Sequence, residues 1–393
     1  MRAGLVALAV AYALSQFYRA FLAVLAPLLQ AEIGTTAEDL AFGSGLWFAT
    51  FAIMQIPVGH ALDTIGPRRT AGVLLFSAAL GAAVFATASG PRAVAAAMGL
   101  IGIGCAPVLM AAFYIFARVF PPKVFASLGG LLIGVSSVGD IASTVPMAWA
   151  AEAFGWRACF WAIAGFTAVI AGAILALVRD PPRLSVPEGA GGIGRIFRSP
   201  AVLLLLPLVL VHYAPLGGVR GLWAGPFLAE VYGLSPAAIG RAVLAMGVAI
   251  VAGNLAYGPL DRLLGTRKGA LLTGNLLLAA ALFGLAAWPA AGLAPAVALL
   301  CAVGFFGASY PLLMAHGRSF FPPHLTGRAV SYLNLLTIGG AAIAQITSGR
   351  LHAAVHAARP DSPTAHFAAT FLFFGLLVAA GCVPYAFSRD RLD

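Results

Sequence analysis

Long apolar blocks, rather than alternating apolar and polar positions, dominate this chain. Residues 201–211 and 271–287, for example, run on with few polar interruptions. Runs of this length and character are typical of helices that cross a membrane. A membrane barrel would instead show alternating segments of about ten residues. The pattern therefore predicts an all-α, polytopic membrane protein.

Glycine, proline and charged clusters divide the chain into twelve predicted membrane spans in two sets of six. The first set is 3–30, 40–62, 69–90, 93–117, 125–152 and 155–178, and the second is 201–231, 236–260, 268–290, 293–317, 326–350 and 365–388. The polar segment between them is rich in proline and glycine, which is typical of a linker. We therefore predict an N-terminal six-helix bundle (1–178), a cytoplasmic linker (179–200) and a C-terminal six-helix bundle (201–393).

Composition and charge support this interpretation. Of 393 residues, 61% are hydrophobic and 9% are charged, whereas soluble proteins carry about a quarter charged residues. If the N-terminus is cytoplasmic, sixteen basic residues fall on the inner side and five on the outer side, as the positive-inside rule describes. The net charge of +10 then reflects membrane sidedness rather than nucleic-acid binding. The preference for arginine over lysine, 21 to two, suggests a GC-rich bacterial genome, so we expect a bacterial inner membrane. The distribution of basic residues places both termini in the cytoplasm.

The chain shows no motif for catalysis or for metal binding. Its four cysteines have no CxxC or CxxH spacing, and no nucleophile elbow, Walker loop or HExxH sequence is present. We therefore predict no enzymatic activity, no cofactor and no metal site. His352, His356 and His366 precede or begin the last predicted span, and we expect solvated side chains there rather than metal ligands.

The two halves align with an offset of about 200 residues. The landmarks are Arg19 with Arg220, Asp63 with Asp261, and Arg118 with Arg318. Three independent landmarks indicate an internal duplication rather than a chance match. Duplicated halves are the architecture of secondary transporters whose site lies at the repeat interface.

Residues 59–69, GHALDTIGPRR, resemble the signature loop between helices 2 and 3 of the major facilitator superfamily. A glycine is followed by an acid four residues later, then by a glycine and a basic pair; Thr64 stands where the family usually has a basic residue. The resemblance covers the whole chain and implies a twelve-helix secondary transporter that works by alternating access. It also implies contacts that close the cytoplasmic side, made by the gate candidates Asp63, Arg68, Arg69, Asp261 and Arg267.

Arg19 and Arg220 fall within predicted spans 1 and 7. Charge inside a membrane is costly, so such residues usually face a cavity. In the family that this chain resembles, these helices line the central cavity, and we expect the two guanidiniums to face one another across the substrate path. The parallel N–H donors of a planar guanidinium suit a carboxylate or a phosphate. The positions of these two arginines resemble those of the helix 1 and helix 7 arginines in the organophosphate antiporter branch. The alternatives are snorkelling to an interface or pairing with a buried acid.

Asp140 is the acid that we place clearly within a span. It either pairs with one of the arginines or takes up a proton and couples transport to the proton gradient. Burial raises a carboxyl pKa and a nearby arginine lowers it, so the sequence leaves both alternatives open.

The remaining binding candidates are polar or aromatic residues near the arginines. His212 and Tyr213 stand about two turns before Arg220, and Pro215 between them is expected to break or kink the helix. Tyr18, Trp223 and Asn334 are candidates for orienting hydrogen bonds, although such residues also serve ordinary helix packing.

Together these patterns predict a secondary active transporter for a small organic anion, either a carboxylate or a phosphorylated metabolite. Its other partners would be the lipid bilayer and a coupling proton or counter-anion, with no nucleic acid, and we expect a monomer. Two alternatives remain open. The apolar walls with their phenylalanine and tryptophan content suit an exporter of amphipathic drugs, and a non-transporting membrane sensor would keep the fold but bind its ligand without moving it.

Overall fold

The structure is a computed structural model, and it describes residues 2–120, 122–181, 200–321, 326–362 and 364–391. Within these ranges, the side chains of residues 117, 122–127, 130, 200–201, 258–259, 261–262 and 326–331 are not described. Most of the predicted linker, residues 182–199, therefore lies outside the described residues.

The described residues form helices and contain no β-strand. Ten helical segments among them are long and apolar enough to cross a membrane, which confirms the prediction of an all-α polytopic membrane protein. The other two predicted spans, 201–231 and 326–350, also contain helices: the first is broken into short pieces, and the second is one helix of 33 residues.

The chain divides into two compact units, Met1–Val186 (unit 1) and Pro187–Asp393 (unit 2). The helices of unit 1 are α1 (Arg2–Ala20), α2 (Leu22–Ile33), α3 (Ala37–Thr64), α4 (Pro67–Ala86), α5 (Pro91–Val119), α6 (Pro122–Ala142), α7 (Val145–Phe154) and α8 (Trp156–Leu177).

The described part of unit 2, from residue 200, starts with a broken helical stretch that includes one turn of π-helix at Val219–Trp223. Its α-helices are α9 (Pro200–Leu203), α10 (Leu206–Val211), α11 (Ala214–Gly218), α12 (Ala224–Tyr232), α13 (Pro236–Leu264), α14 (Arg267–Ala287), α15 (Leu293–Gly307), α16 (Tyr310–Arg318), α17 (Thr326–Ala358) and α18 (Ala365–Ala386).

Proline accounts for most of the breaks inside the predicted spans. Four helices begin one residue before a proline, at Pro146, Pro207, Pro215 and Pro311. Because proline has no N–H, the carbonyl one turn earlier loses its helical partner. Each of these spans is therefore two or more helices rather than the single helix that we predicted.

The two units repeat the same packing scheme. In unit 1, α4 packs against α5 and α8, and α3 packs against α5; in unit 2, α14 packs against α15 and α18, and α13 packs against α15. Each unit also has several close helix crossings at glycines, and among the described residues the closest approach to a partner backbone is at Gly139 in unit 1 and at Gly340 in unit 2. A Cβ on Gly139 would overlap the carbonyl oxygen of Ala13, and a Cβ on Gly340 would overlap that of Leu210. Both crossings therefore require glycine.

Candidate functional site

Arg19 lies on an aromatic platform in unit 1. Its guanidinium carbon is 5.0 Å from the ring centroid of Trp47 and 5.2 Å from that of Phe51. The two rings stack on each other on α3, with centroids 5.1 Å apart, and Trp47 is buried. Cation–π attraction holds a guanidinium over such faces, so the platform fixes the end of the Arg19 side chain against α3.

Arg220 lies in the π turn of unit 2 and is only 7% exposed. A Cβ added to Gly247 would be 3.3 Å from its Nη2, so the guanidinium lies directly against the α13 backbone. Positions 47 and 247 differ by about the offset of the sequence repeat. Within its own unit, each arginine therefore contacts a similar level of the second predicted span.

The π turn carries a second predicted residue, Trp223. Its Nε1 donates a hydrogen bond to Ser348 Oγ at 3.0 Å, and its ring centroid lies 4.6 Å from that of His352. Both partners are on α17. Single π turns within α-helices occur frequently at functional sites, and here one turn holds the buried arginine and a tryptophan that is bonded to a neighbouring helix.

His212, Tyr213 and Asn334 come together in unit 2 around Tyr310, which the sequence analysis did not name. The rings of His212 and Tyr213 lie 6.0 and 6.4 Å from that of Tyr310, whose hydroxyl donates to Asn334 Oδ1 at 2.9 Å. Tyr310 stands directly before Pro311 at the break between α15 and α16. A tyrosine beside a proline inside an apolar span is the signal that could have identified it.

Tyr18 and Asp140 each form a hydrogen bond within unit 1. The Tyr18 hydroxyl is fully buried and shares a hydrogen bond of 2.9 Å with Thr167 Oγ1, which ties α1 to α8. Asp140 is half-buried on α6, next to the close crossing at Gly139. Its backbone carbonyl accepts a hydrogen bond of 2.7 Å from Ser143 Oγ, at the break before α7.

Among the gate candidates of unit 1, Asp63 forms an ion pair with Arg118, with 3.4 Å between Oδ1 and Nη2. Arg68 donates its backbone N–H to Asp180 Oδ1 at 2.8 Å and its Nε to the carbonyl of Leu175. Arg69 is exposed. Within unit 1, Asp63 is therefore bonded to α5, and Arg68 is bonded to the end of α8 and to the residue Asp180 that follows it.

Asp180 and its counterpart Asp390 are residues that the sequence analysis missed. Asp390 Oδ1 accepts the Lys268 N–H at 3.0 Å, so each carboxylate caps the helix that follows the signature loop or its repeat. Each directly follows an arginine, in the pairs at 179–180 and 389–390. This repeated Arg-Asp pair after the last span of each half is the signal that could have identified them.

The N-terminus of α14 is held closely by the chain that follows α18. Burial alone would raise the pKa of Asp390, but hydrogen bonds from the Thr266 hydroxyl and the Lys268 N–H outweigh burial and lower it. Arg267, another gate candidate, donates to the carbonyl of Arg391 at 3.4 Å. The side chain of Asp261 lies outside the described residues.

The prediction that all three outer histidines are solvated is wrong for two of them. His352 and His366 are 5% and 1% exposed, whereas His356 is exposed. The reason is that α17 continues to Ala358 and α18 begins at Ala365, so these residues lie on packed helix ends. Among the described residues, no group of three or more His, Cys, Asp or Glu is arranged to hold a metal ion.

Comparison with known families identifies the chain. The family model described as "Major Facilitator Superfamily" matches residues 8–219 and 221–392. The chain belongs to the Major Facilitator Superfamily. This confirms the family resemblance of the signature loop, and because the superfamily consists of transporters of small molecules, it also confirms that this chain is a transporter and not an enzyme.

Solved structures of other Major Facilitator Superfamily members share the fold. A D-xylose–proton symporter superposes with a TM-score of 0.78 at 17% identity, covering 99% of this chain and 98% of that one. A nucleoside transporter gives a TM-score of 0.76 at 13% identity and covers 98% of both chains.

Two characterised relatives are similar over part of the sequence. A galacturonate transporter of Dickeya chrysanthemi is 26% identical over 139 residues, and a D-galactonate transporter of Escherichia coli O6:H1 is 27% identical over 167 residues. The matches cover 35% and 42% of this superfamily member, and they span 40% and 39% of the two relatives.

Proposed function

We propose that this Major Facilitator Superfamily member is a secondary active transporter of small organic anions, with sugar acids as the leading substrate class. Arg19 and Arg220 are the proposed anion ligands. The observation that carries the proposal is their equivalent setting, since each guanidinium contacts position 47 or 247 of its own unit. A cation retained at the same place in both halves suits a carboxylate, which accepts two parallel hydrogen bonds from a guanidinium.

The two partly similar relatives support the same substrate class. Their names refer to galacturonate and to D-galactonate, and both compounds are sugar acids that carry one carboxylate at neutral pH. The cluster of Tyr213, Tyr310 and Asn334 adds hydroxyl and amide groups, all half-buried, which are suited to hydroxyl-rich compounds. We assign these three residues to the orientation of the sugar portion. We expect the protein to lie in a bacterial inner membrane with both termini in the cytoplasm.

Uptake by proteoliposomes tests the proposal, with labelled galacturonate and galactonate as substrates and uncharged galactose as the comparison. Arg19→Ala and Arg220→Ala are each expected to reduce anion uptake at least about tenfold, because a hydrogen bond between charged groups is worth about 1.5–3 kcal/mol. Arg92→Ala and Arg241→Ala are matched controls, since both of these arginines are exposed, and they should transport at the wild-type rate.

Two results would count against the proposal. One is uptake of galactose equal to that of galacturonate in the wild type, which would remove the requirement for a negative charge. The other is wild-type anion uptake in both arginine variants. Growth protection against amphipathic drugs without any dependence on anions would favour the exporter alternative, and binding without flux would favour a sensor.

A further inference from the structure

A cluster of ionisable side chains lies where α12, α17 and α18 meet in unit 2. It consists of Glu230, His352, His356 and His366. The ring of His366 lies 4.5 Å from that of His352 and 5.0 Å from that of His356, centroid to centroid. His366 Nε2 is 3.4 Å from Glu230 Oε2. Neither the transport function nor the signature loop accounts for this cluster.

His366 is the centre of the cluster and is not satisfied by hydrogen bonds. Its ring is buried, and neither Nδ1 nor Nε2 has a hydrogen-bond partner of good geometry. A neutral imidazole always carries one N–H, so the neutral form leaves a buried donor without an acceptor, which is unfavourable. A protonated His366 would instead form an ion pair with Glu230, which lies within the distance for a salt bridge. An ion pair with Glu230 would offset the cost of burying the charge.

Protons from water can reach this cluster. His356 is exposed, and the Glu230 side chain is 35% exposed. The cluster should hold one proton at a time, because a second charged imidazole at 4.5 or 5.0 Å would be repelled by the first.

Among the described residues, the other ionisable groups on the elements packed around His366 do not compensate a charge on it, and Arg350 on α17 is exposed. On α14, which also packs against α18, the charged residues are Arg267 and Lys268 at the opposite end, where Lys268 bonds to Asp390. Arg359 and Asp361, in the loop before α18, are exposed to solvent. Glu230 from α12 is therefore the acid placed to balance the charge.

The cluster is also connected to the turn that carries Arg220. His352 packs on His366 on one side and on Trp223 on the other, at 4.5 and 4.6 Å between centroids. Trp223 closes the π turn that holds Arg220. We propose that Glu230, His352, His356 and His366 form a proton-binding site, with His366 as the acceptor, whose occupancy is linked through Trp223 to the Arg220 turn. The link to transport rests on the proposed function, whereas the binding of the proton does not.

Nuclear magnetic resonance of the whole protein in detergent tests proton binding without any substrate. With labelled histidine, the His366 ring signal is assigned by its loss in His366→Gln, and it is expected to move when the sample is acidified. Glu230→Gln, which changes a partly exposed residue, should abolish the pH response of one histidine ring signal relative to the wild type, and this comparison does not require His366→Gln to fold. His60→Gln, which removes an exposed histidine of unit 1, is the matched control and should leave the His366 response unchanged.

The indole N–H signal of Trp223, assigned by Trp223→Phe, tests the link. It should follow pH over the same range in the wild type and in His60→Gln but not in Glu230→Gln. A His366 signal that does not respond to pH, or that responds to added Zn²⁺ at constant pH, would overturn the proton site. A Trp223 signal that ignores pH while His366 responds would overturn the link.

Transport then separates this inference from the proposed function. An inward proton gradient should stimulate galacturonate uptake severalfold in the wild type and in His60→Gln. Glu230→Gln should keep exchange of galacturonate without a gradient but lose the stimulation. If the wild type moves no anion while both magnetic resonance responses are present, the proposed substrate fails and the proton site stands. If anions move and Glu230→Gln is still stimulated by the gradient, the role of the site in coupling is wrong.

Discussion

The arginines of the two units show how a duplicated pair can keep a charge while changing its support. In unit 1, Arg19 rests on the faces of Trp47 and Phe51. In unit 2, Arg220 lies against Gly247, in a π turn whose last residue contacts the histidine cluster. Aromatic faces hold a cation without determining its other contacts, whereas the π turn connects its cation to neighbouring helices. The two units therefore support their arginines differently, by aromatic faces in unit 1 and by a π turn bonded to a neighbouring helix in unit 2.

The largest expected effect concerns a feature that the two units share, the close helix crossings. Gly139→Ala and Gly340→Ala should each destabilise the protein by about 3 kcal/mol or more, because the new methyl group would overlap a backbone oxygen of the partner helix. Thermal unfolding in detergent and the yield of monodisperse protein measure this effect. Gly134→Ala and Gly339→Ala are controls, since a Cβ at either position has no neighbour within 4 Å. A stable Gly340→Ala with an unstable Gly139→Ala would show that the crossings are not equivalent.

Replacement of Trp47 tests whether the aromatic platform under Arg19 contributes to anion binding. Trp47→Leu is expected to weaken sugar-acid binding about tenfold, because cation–π contacts are worth up to about 2 kcal/mol when desolvated. Titration calorimetry with galacturonate measures the change. Trp161→Leu, at a tryptophan that is 54% exposed, should bind like the wild type. Equal weakening in both variants would mean that Trp47 contributes only to packing.

The capping carboxylates should behave alike in the two units. Asp390→Asn is expected to lower the free energy of unfolding by no more than about 1 kcal/mol at neutral pH, because the residue is exposed. Its pKa is lowered in the folded protein, so the stabilisation is present above the ordinary pKa of an aspartate and is lost as the pH falls through the lower folded value.

The wild type and Asp390→Asn should therefore unfold at different temperatures at neutral pH, and the difference should shrink as the pH falls below about 4. Asp180→Asn tests whether the cap of unit 1 contributes a similar amount at neutral pH. A difference between wild type and Asp390→Asn that grows on acidification would contradict the assignment.

The smallest effect is expected for the ion pair of the signature loop. Asp63 is 50% exposed and its partner Arg118 is 17% exposed, with 3.4 Å between the charged atoms. Such surface pairs contribute about 0–1 kcal/mol. A double-mutant cycle with Asp63→Asn and Arg118→Gln, followed by thermal unfolding, should give a coupling energy of about 0.5 kcal/mol or less. A larger coupling would indicate a role in folding rather than in the transport cycle.

Much of the architecture could be predicted because membrane helices need long apolar runs, and such runs are visible without knowledge of tertiary contacts. The helix breaks at Pro146 and Pro311 carry a local signal that the analysis passed over. The burial of His366 carries none, because it depends on packing between helices that are far apart in sequence. That Arg19 and Arg220 bind the transported anion stays a prediction.

The caps on α4 and α14 bear on how the chain assembles during synthesis. The backbone N–H of Arg68 bonds to a carboxylate 112 residues later in the chain, and that of Lys268 bonds to one 122 residues later. The chain is synthesised from the N-terminus, and domains tend to fold in that order. In each bundle, most of the helices are therefore made before the carboxylate that caps α4 or α14 is available. The residues after the last helix of each bundle complete this helix N-terminus, so we expect the cap to form only after the sixth span of that bundle has been synthesised.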